Sequence, residues 1–145
     1  MPLSLPRSVP AVTANRVLVV DTSAVVAAVT EDPPPEAVQA RLSTDGDLHA
    51  PHLLDVEVVG VLRRLVRQGE LRPARAEAAL EDLSALRITR YPHVALRERM
   101  WDLRDNLTAY DAAFVALSEA LEVPLVTLDR RLARASGHHA AIEVL

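Results

Sequence analysis

Two short aliphatic runs in this chain each end abruptly in an aspartate. Val17-Leu18-Val19-Val20 is followed at once by Asp21, and Leu125-Val126-Thr127-Leu128 by Asp129. Continuous β-branched runs of this length suit strands buried on both faces, the strands of a parallel sheet. Ligand sites in such sheets lie beyond the carboxyl ends of the strands. A carboxylate directly after a strand therefore sits where a site would form, and strand polarity puts both on one rim.

The rest of the pattern agrees. Residues 48–50 and 88–89 read as brief strands, and 142–145 as the last one. Helices are expected over 36–42, 53–68, 73–86, 93–104 and 108–121. Gly69 suits the left-handed residue that ends a helix, and Pro73 the first turn that proline favours. Pro124 is tolerated as the first residue of a strand. Strands alternating with helices predict an α/β domain with a mostly parallel central sheet flanked by helices. A chain of 145 residues, half of them hydrophobic, fits one such domain. Residues 1–15 contain Pro2, Pro6 and Pro10 and lack the apolar core of a signal peptide. They read as a leader or arm before a single domain over 16–145. No apolar run approaches the length of about 20 residues needed to span a bilayer. The chain has no cysteine, which removes thiolate zinc sites and a cysteine nucleophile, and fits a cytoplasmic protein.

Two more acids fall near helix starts. Asp111 lies in the first turn of the 108–121 helix, and Glu57 in the first turns of the 53–68 helix. Each of the four has a plainer reading. Asp21 and Asp129 suit helix N-caps, and Thr108-x-x-Asp111 is a capping-box pattern. Asp111 and Glu57 could face water. Glu57 fits that reading worst, because apolar residues surround it and a half-buried carboxylate needs a partner or a metal. Its neighbour Asp55 looks like the cap of that helix. Clustered carboxylates repel, so one takes up a proton or all share a cation. Helix N-termini favour the ionised form, which tips the balance toward a cation. An all-oxygen ligand set suits Mg²⁺ or Mn²⁺ rather than Zn²⁺. The formal net charge is −4; without these four acids it is zero, so the acidity can belong to one site.

At this point the chain resembles PIN-domain ribonucleases. Val17 to Ala24 is similar to their opening motif, and Glu57, after Pro51-His52-Leu53-Leu54, to their second acid. Leu107-Thr108-Ala109-Tyr110-Asp111-Ala112-Ala113-Phe114-Val115-Ala116-Leu117 is similar to the third motif of VapC-type toxins, the PIN proteins of bacterial toxin–antitoxin pairs. Leu125-Val126-Thr127-Leu128-Asp129 resembles the closing motif. The resemblance runs from about residue 17 to 145. It implies a PIN-like three-layer fold and cleavage of RNA phosphodiester bonds by Mg²⁺ or Mn²⁺ in an acidic pocket. Asp21 and Asp111 would be the principal metal ligands, with Glu57 and Asp129 completing the pocket. Thr22, Ser23 and Thr127 would position waters or phosphate. It also implies a homodimer, silenced by a small antitoxin protein lying across the pocket.

The remaining residues offer less. His49 and His52 read as surface or loop positions, and His138 and His139 as an exposed pair. All 16 basic residues are arginine. Arg63, Arg64 and Arg67, and Arg130, Arg131 and Arg134, could guide a polyanion, though a solvated helix face explains each. Tyr91, Trp101, Tyr110 and Phe114 are the only aromatics, too few to suggest a base-stacking platform. Tyr110 and Phe114 read as core. The helices over 53–68 and 73–86 carry enough Leu, Val and Ala for a subunit interface. Two alternatives accompany the toxin reading. One is a PIN-like nuclease of RNA processing or DNA; the other is a non-enzymatic α/β binding module whose acids are caps.

Overall fold

A computed structural model describes residues 16–43 and 46–145; the expected leader over 1–15 lies outside them. Five strands form one all-parallel sheet in the order β3-β2-β1-β4-β5. They are β1 (Val17–Val20), β2 (Asp47–Pro51), β3 (Ile88–Tyr91), β4 (Leu125–Thr127) and β5 (Ile142–Val144). Seven α-helices connect them: α1 (Thr22–Thr30), α2 (Glu36–Arg41), α3 (Leu53–Arg67), α4 (Pro73–Ala85), α5 (Arg97–Asp102), α6 (Ala109–Leu121) and α7 (Arg130–Arg134).

The strand order explains the three layers. The chain steps from β1 to β2 to β3 in one direction, then returns past β1 to β4 and on to β5. Right-handed crossovers in opposite directions lie on opposite faces of a sheet. One layer accordingly holds α1 against α3 and α4, and the other holds α6 across β1 and β2 with α5 packed on it. The direction reverses between β1 and β4, and the carboxyl ends of those two strands flank the crevice where ligands bind in such sheets.

The centre is built as the aliphatic runs dictate. Leu18, Val19, Val20, Leu125 and Val126 are wholly buried. In α6 every residue from Ala112 to Ser118 is buried, so this helix is enclosed on all sides rather than along one stripe. Small alanines let it lie close to the sheet, and Phe114 fills the space between.

Some boundaries differ from expectation. The segment over 93–104 is not one helix: a 3₁₀ turn, Val94–Leu96, precedes α5. Helix α7, implied by the reading of Asp129 as an N-cap but given no bounds, is only five residues long, three of them arginine. Gly69 has φ +72, as a helix-ending glycine should, and Pro73 opens α4.

Candidate active site

Asp21 occupies the N-cap position of α1, yet its side chain makes no capping bond. It turns instead toward β4. Its Oδ2 accepts hydrogen bonds from Ser23 Oγ at 2.9 Å and from Thr127 Oγ1 at 2.8 Å. Each hydroxyl is itself held in place. Ser23 Oγ accepts the Leu128 N–H at 2.9 Å, and Thr127 Oγ1 accepts the Asp129 N–H at 3.0 Å. The turn after β4 therefore orients two O–H groups, and both spend their protons on one carboxylate oxygen. Thr127 is fully buried and Asp21 is 8% exposed. Among the described residues, the other oxygen of Asp21 accepts no hydrogen bond.

Glu57 reaches the same rim from α3. Its Oε1 accepts a hydrogen bond from Thr22 Oγ1 at 2.8 Å. The start of α3 is fixed from outside: the Leu53 N–H donates to His93 Nε2 at 2.9 Å. Asp55 is not the cap expected from sequence. It pairs with Arg90 of β3 through both oxygens, at 2.5 and 2.8 Å, because a guanidinium fork on the neighbouring strand outcompetes a backbone N–H for a carboxylate.

Asp111 stands at the start of α6, where Thr108 Oγ1 accepts its backbone N–H at 3.2 Å. The cap is thus Thr108, which leaves the Asp111 carboxylate free for the crevice. It lines a cavity of about 500 Å³ together with Asn106, Thr108, Asp129, Arg131 and Arg134. Asp129 serves two ends at once. Its Oδ1 caps α7 by accepting the Arg131 N–H at 2.9 Å, and the Arg131 guanidinium bridges its two oxygens at 3.2 and 3.1 Å.

The charges of these acids act on one another. Burial pushes the Glu57 carboxyl above its usual range, and the charges of Asp21 and Asp111 add to this, against the Thr22 hydrogen bond. Burial likewise raises Asp111, reinforced by Asp21 and Asp129 and opposed by Thr108 and Arg131. Asp129 goes the other way, held low by the hydrogen bond from Arg131. Among the described residues, no three His, Asp or Glu side chains are gathered so as to hold a metal ion as they stand. The donor chemistry nonetheless suits a hard cation: carboxylate oxygens, several of them unengaged among the described residues, where negative charge is under-compensated.

Three expectations from sequence change here. His49 is no loop residue; it lies in β2, half-buried, with Nδ1 2.7 Å from Tyr91 Oη and Nε2 3.0 Å from Asp47. Tyr110 is 61% exposed and not core, whereas Phe114 is buried as expected. His138 and His139 do not form a uniformly exposed pair. His138 is half-buried, while the His139 N–H donates to Glu119 at 2.9 Å. The sequence reading also missed the clasp of Arg131 on Asp129. The only signal for it was their separation of two residues, which many unpaired charges share.

The sequence profile of the PIN domain family matches residues 18–137. The chain is 45% identical over 129 residues to ribonuclease VapC9 of Mycobacterium tuberculosis, covering 88% of this chain and 98% of the relative. It is also 45% identical to ribonuclease VapC1 of the same organism, covering 88% and 96%. Among solved structures, PAE2754 from Pyrobaculum aerophilum superposes with a TM-score of 0.64 at 26% identity, covering 90% of this chain and 85% of that one. VapBC2 from Rickettsia felis, bound to a promoter DNA fragment, superposes with a TM-score of 0.62 over 88% of this chain and 98% of that one. At 14% identity, that match speaks for the fold alone. The chain belongs to the PIN-domain family, in its VapC-type branch.

Proposed function

We propose that this chain is an endoribonuclease, the toxin of a toxin–antitoxin pair, that cleaves RNA phosphodiester bonds with Mg²⁺ or Mn²⁺. The observation that carries this reading is the bracing of Asp21. Two hydroxyls held by the turn after β4 donate to one of its oxygens and leave the other without a hydrogen bond among the described residues, while the charge of Asp21 acts on Glu57 and Asp111. The 45% identity to ribonucleases over nearly their whole length points the same way.

In this reading Asp21 and Asp111 are the principal ligands of the cation. Glu57 and Asp129 complete the pocket, directly or through water. When bound, the cation supplies positive charge for the scissile phosphate and acidity for the attacking water. The protein's own residues prepare that event. Ser23 and Thr127 hold Asp21 in one orientation, and Thr22 does the same for Glu57. Thr108 caps α6 with its own hydroxyl, so Asp111 is not consumed as a cap. Arg131 and Arg134 line the cavity mouth and offer guanidinium groups to an incoming backbone phosphate. Arg131 exchanges its grip on Asp129 for the phosphate when RNA arrives.

The partners follow the same reading. A small antitoxin protein covers the acidic crevice. A second copy of the chain covers an apolar groove of about 300 Å³ between α3 and α4, lined by Val59, Leu62, Val66, Pro73, Ala76 and Leu80. Val59 in that groove is 52% exposed and Val56 on the same helix 70%, apolar surface that a lone chain leaves in water. No helix among the described residues is long and apolar enough to cross a membrane, and we propose a cytoplasmic site of action.

The test is cleavage of single-stranded RNA by the purified chain with Mn²⁺, against the same reaction in a chelator. Asp21→Ala and Asp111→Ala are expected to abolish cleavage and growth arrest while leaving the circular dichroism of the fold intact. Cleavage that persists in both variants would falsify the assignment. Nuclease activity without growth arrest would favour a PIN nuclease of RNA processing instead.

A further inference from the structure

Trp101 is the chain's only tryptophan, and it is 67% exposed. It stands on α5, a turn before the segment that leads into α6. The Arg104 guanidinium lies over the indole, 4.7 Å from the ring centroid. A hydrogen bond from Arg104 Nη1 to the Trp101 carbonyl oxygen, at 3.0 Å, fixes it there. The pair is a two-storey platform: a flat cation on a flat aromatic, in a residue that stays 67% exposed.

This platform borders the acidic crevice. Trp101, Arg97 and Arg104 line a cavity of about 420 Å³ that also includes Leu107 and Thr108. Leu107 and Thr108 line the cavity of Asp111 and Asp129 as well. The two hollows thus share a wall, and that wall is the N-terminal approach to α6. Tyr110, 61% exposed, is the chain neighbour of Asp111 on the same helical turn. Glu98, Asp102 and Asp105, the acids of this stretch, line neither cavity.

Resting on the ribonuclease reading above, we infer that Trp101 and Arg104 form a base-stacking subsite for single-stranded RNA, beside the phosphate-cleaving crevice. The division of labour is physical. The acidic crevice can take only the backbone, since a cation there attracts phosphate and nothing in it presents a flat apolar face. An unpaired base next to that phosphate needs such a face, and an indole with a guanidinium stacked on it supplies one for any base. A duplex cannot use the platform, because its bases are already stacked on one another. The aromatic count argued against a stacking surface of several rings. A single ring suffices to hold one nucleotide.

A lone tryptophan makes the test direct, because all indole emission comes from this site. Binding is read by titrating the Asp111→Asn chain, which retains the platform, with a short single-stranded oligoribonucleotide and with its abasic counterpart. The expected result is quenching by the RNA and none by the abasic strand. In steady-state cleavage, Trp101→Ala is expected to raise KM roughly tenfold with kcat little changed, and Trp101→Phe to restore most of the loss. RNA that is cleaved normally while emission and the Trp101→Ala KM stay unmoved would overturn this inference and leave the ribonuclease reading standing. A native chain that cleaves no RNA with Mn²⁺ overturns both. Light scattering supplies the remaining outcome: a Trp101→Ala chain that falls from dimer to monomer makes this face a subunit contact, and the inference fails.

Discussion

Replacing Asp111 with asparagine removes one negative charge from a half-buried cluster without changing its shape. Burial and the charges of Asp21 and Asp129 hold the Asp111 carboxyl above its ordinary value. A carboxyl raised in this way binds its proton more readily in the folded chain than in the unfolded one. Its contribution to stability is present at low pH and is lost as pH rises through the raised value. At neutral pH, with a chelator present, the site is therefore a strain on the fold. We expect Asp111→Asn to melt at a higher temperature than the native chain under those conditions, and to cleave no RNA. Adding Mn²⁺ should raise the native melting temperature and leave the variant nearly unchanged. Differential scanning fluorimetry reads both, and a lower melting temperature for the metal-free variant would contradict the repulsion argument. At this scale the sequence was partly legible. Asp21, Glu57, Asp111 and Asp129 were picked out as a set, by their places after strands or at helix starts and by the family resemblance, although each alone had a plainer reading. What the hydroxyls of Ser23 and Thr127 do was not legible, since the two meet across a separation of 104 residues and no local pattern encodes that contact. Asp55 misled for the converse reason: a local rule made it a cap, and Arg90 on a distant strand claimed it.

Helix α6 carries Asp111 at its first turn and is buried over most of its length, so its start must be fixed if the carboxylate is to be. Thr108 does this with one hydrogen bond. Loss of such a cap costs about 1 kcal/mol. We expect Thr108→Ala to lower the unfolding free energy by about that amount and to lower kcat/KM more than stability alone explains, because the first turn frays where the ligand sits. Thr108→Ser should recover both. Urea denaturation alongside cleavage kinetics separates the two effects. A Thr108→Ala chain with native kcat/KM would mean that burial alone fixes the turn. Elements were the most readable level of this chain. Aliphatic runs marked β1 and β4, glycine and proline marked helix ends, and alternation pointed to a mostly parallel sheet, whose strand order it did not fix. The bounds of helix α7 escaped because a five-residue helix capped by Asp129 is too short to show a period. The break before α5 escaped because a 3₁₀ turn and an α-helix share nearly the same apolar spacing.

At the scale of the molecule, Glu119 is the tie between layers. Its side chain is 5% exposed, yet it accepts from Arg99 of α5 at 2.7 and 3.1 Å and from the His139 N–H at 2.9 Å. Arg99 in turn donates to the Gly137 carbonyl oxygen at 3.1 Å. One carboxylate thus binds α6 to α5 and to the segment that leads into β5. Burial alone would raise its proton affinity, but Arg99 and His139 together hold it below the ordinary 4.5. A depressed carboxyl lends stability above its unfolded value and loses it as pH falls through the folded one. Acid unfolding should therefore steepen below about pH 4.5 in the native chain. In Arg99→Ala the buried carboxyl loses its main partner, so the variant should be less stable near neutral pH and lose less stability on acidification than the native chain. Thermal melts between pH 3 and pH 7 follow this, and coincident profiles would show that the tie contributes nothing. None of it was legible beforehand, because Arg99, Glu119 and His139 belong to three different elements and look like ordinary surface charges in each.

The bracing of Asp21 joins the beginning of the chain to its end: Thr127 lies 106 residues after the carboxylate it holds, and β4 slots beside β1 only once α6 has been made. A ribosome partway through this message therefore carries a chain whose first acid has nothing to steady it. On the ribonuclease reading proposed above, competence to cut waits until β4 has been made and has paired with β1.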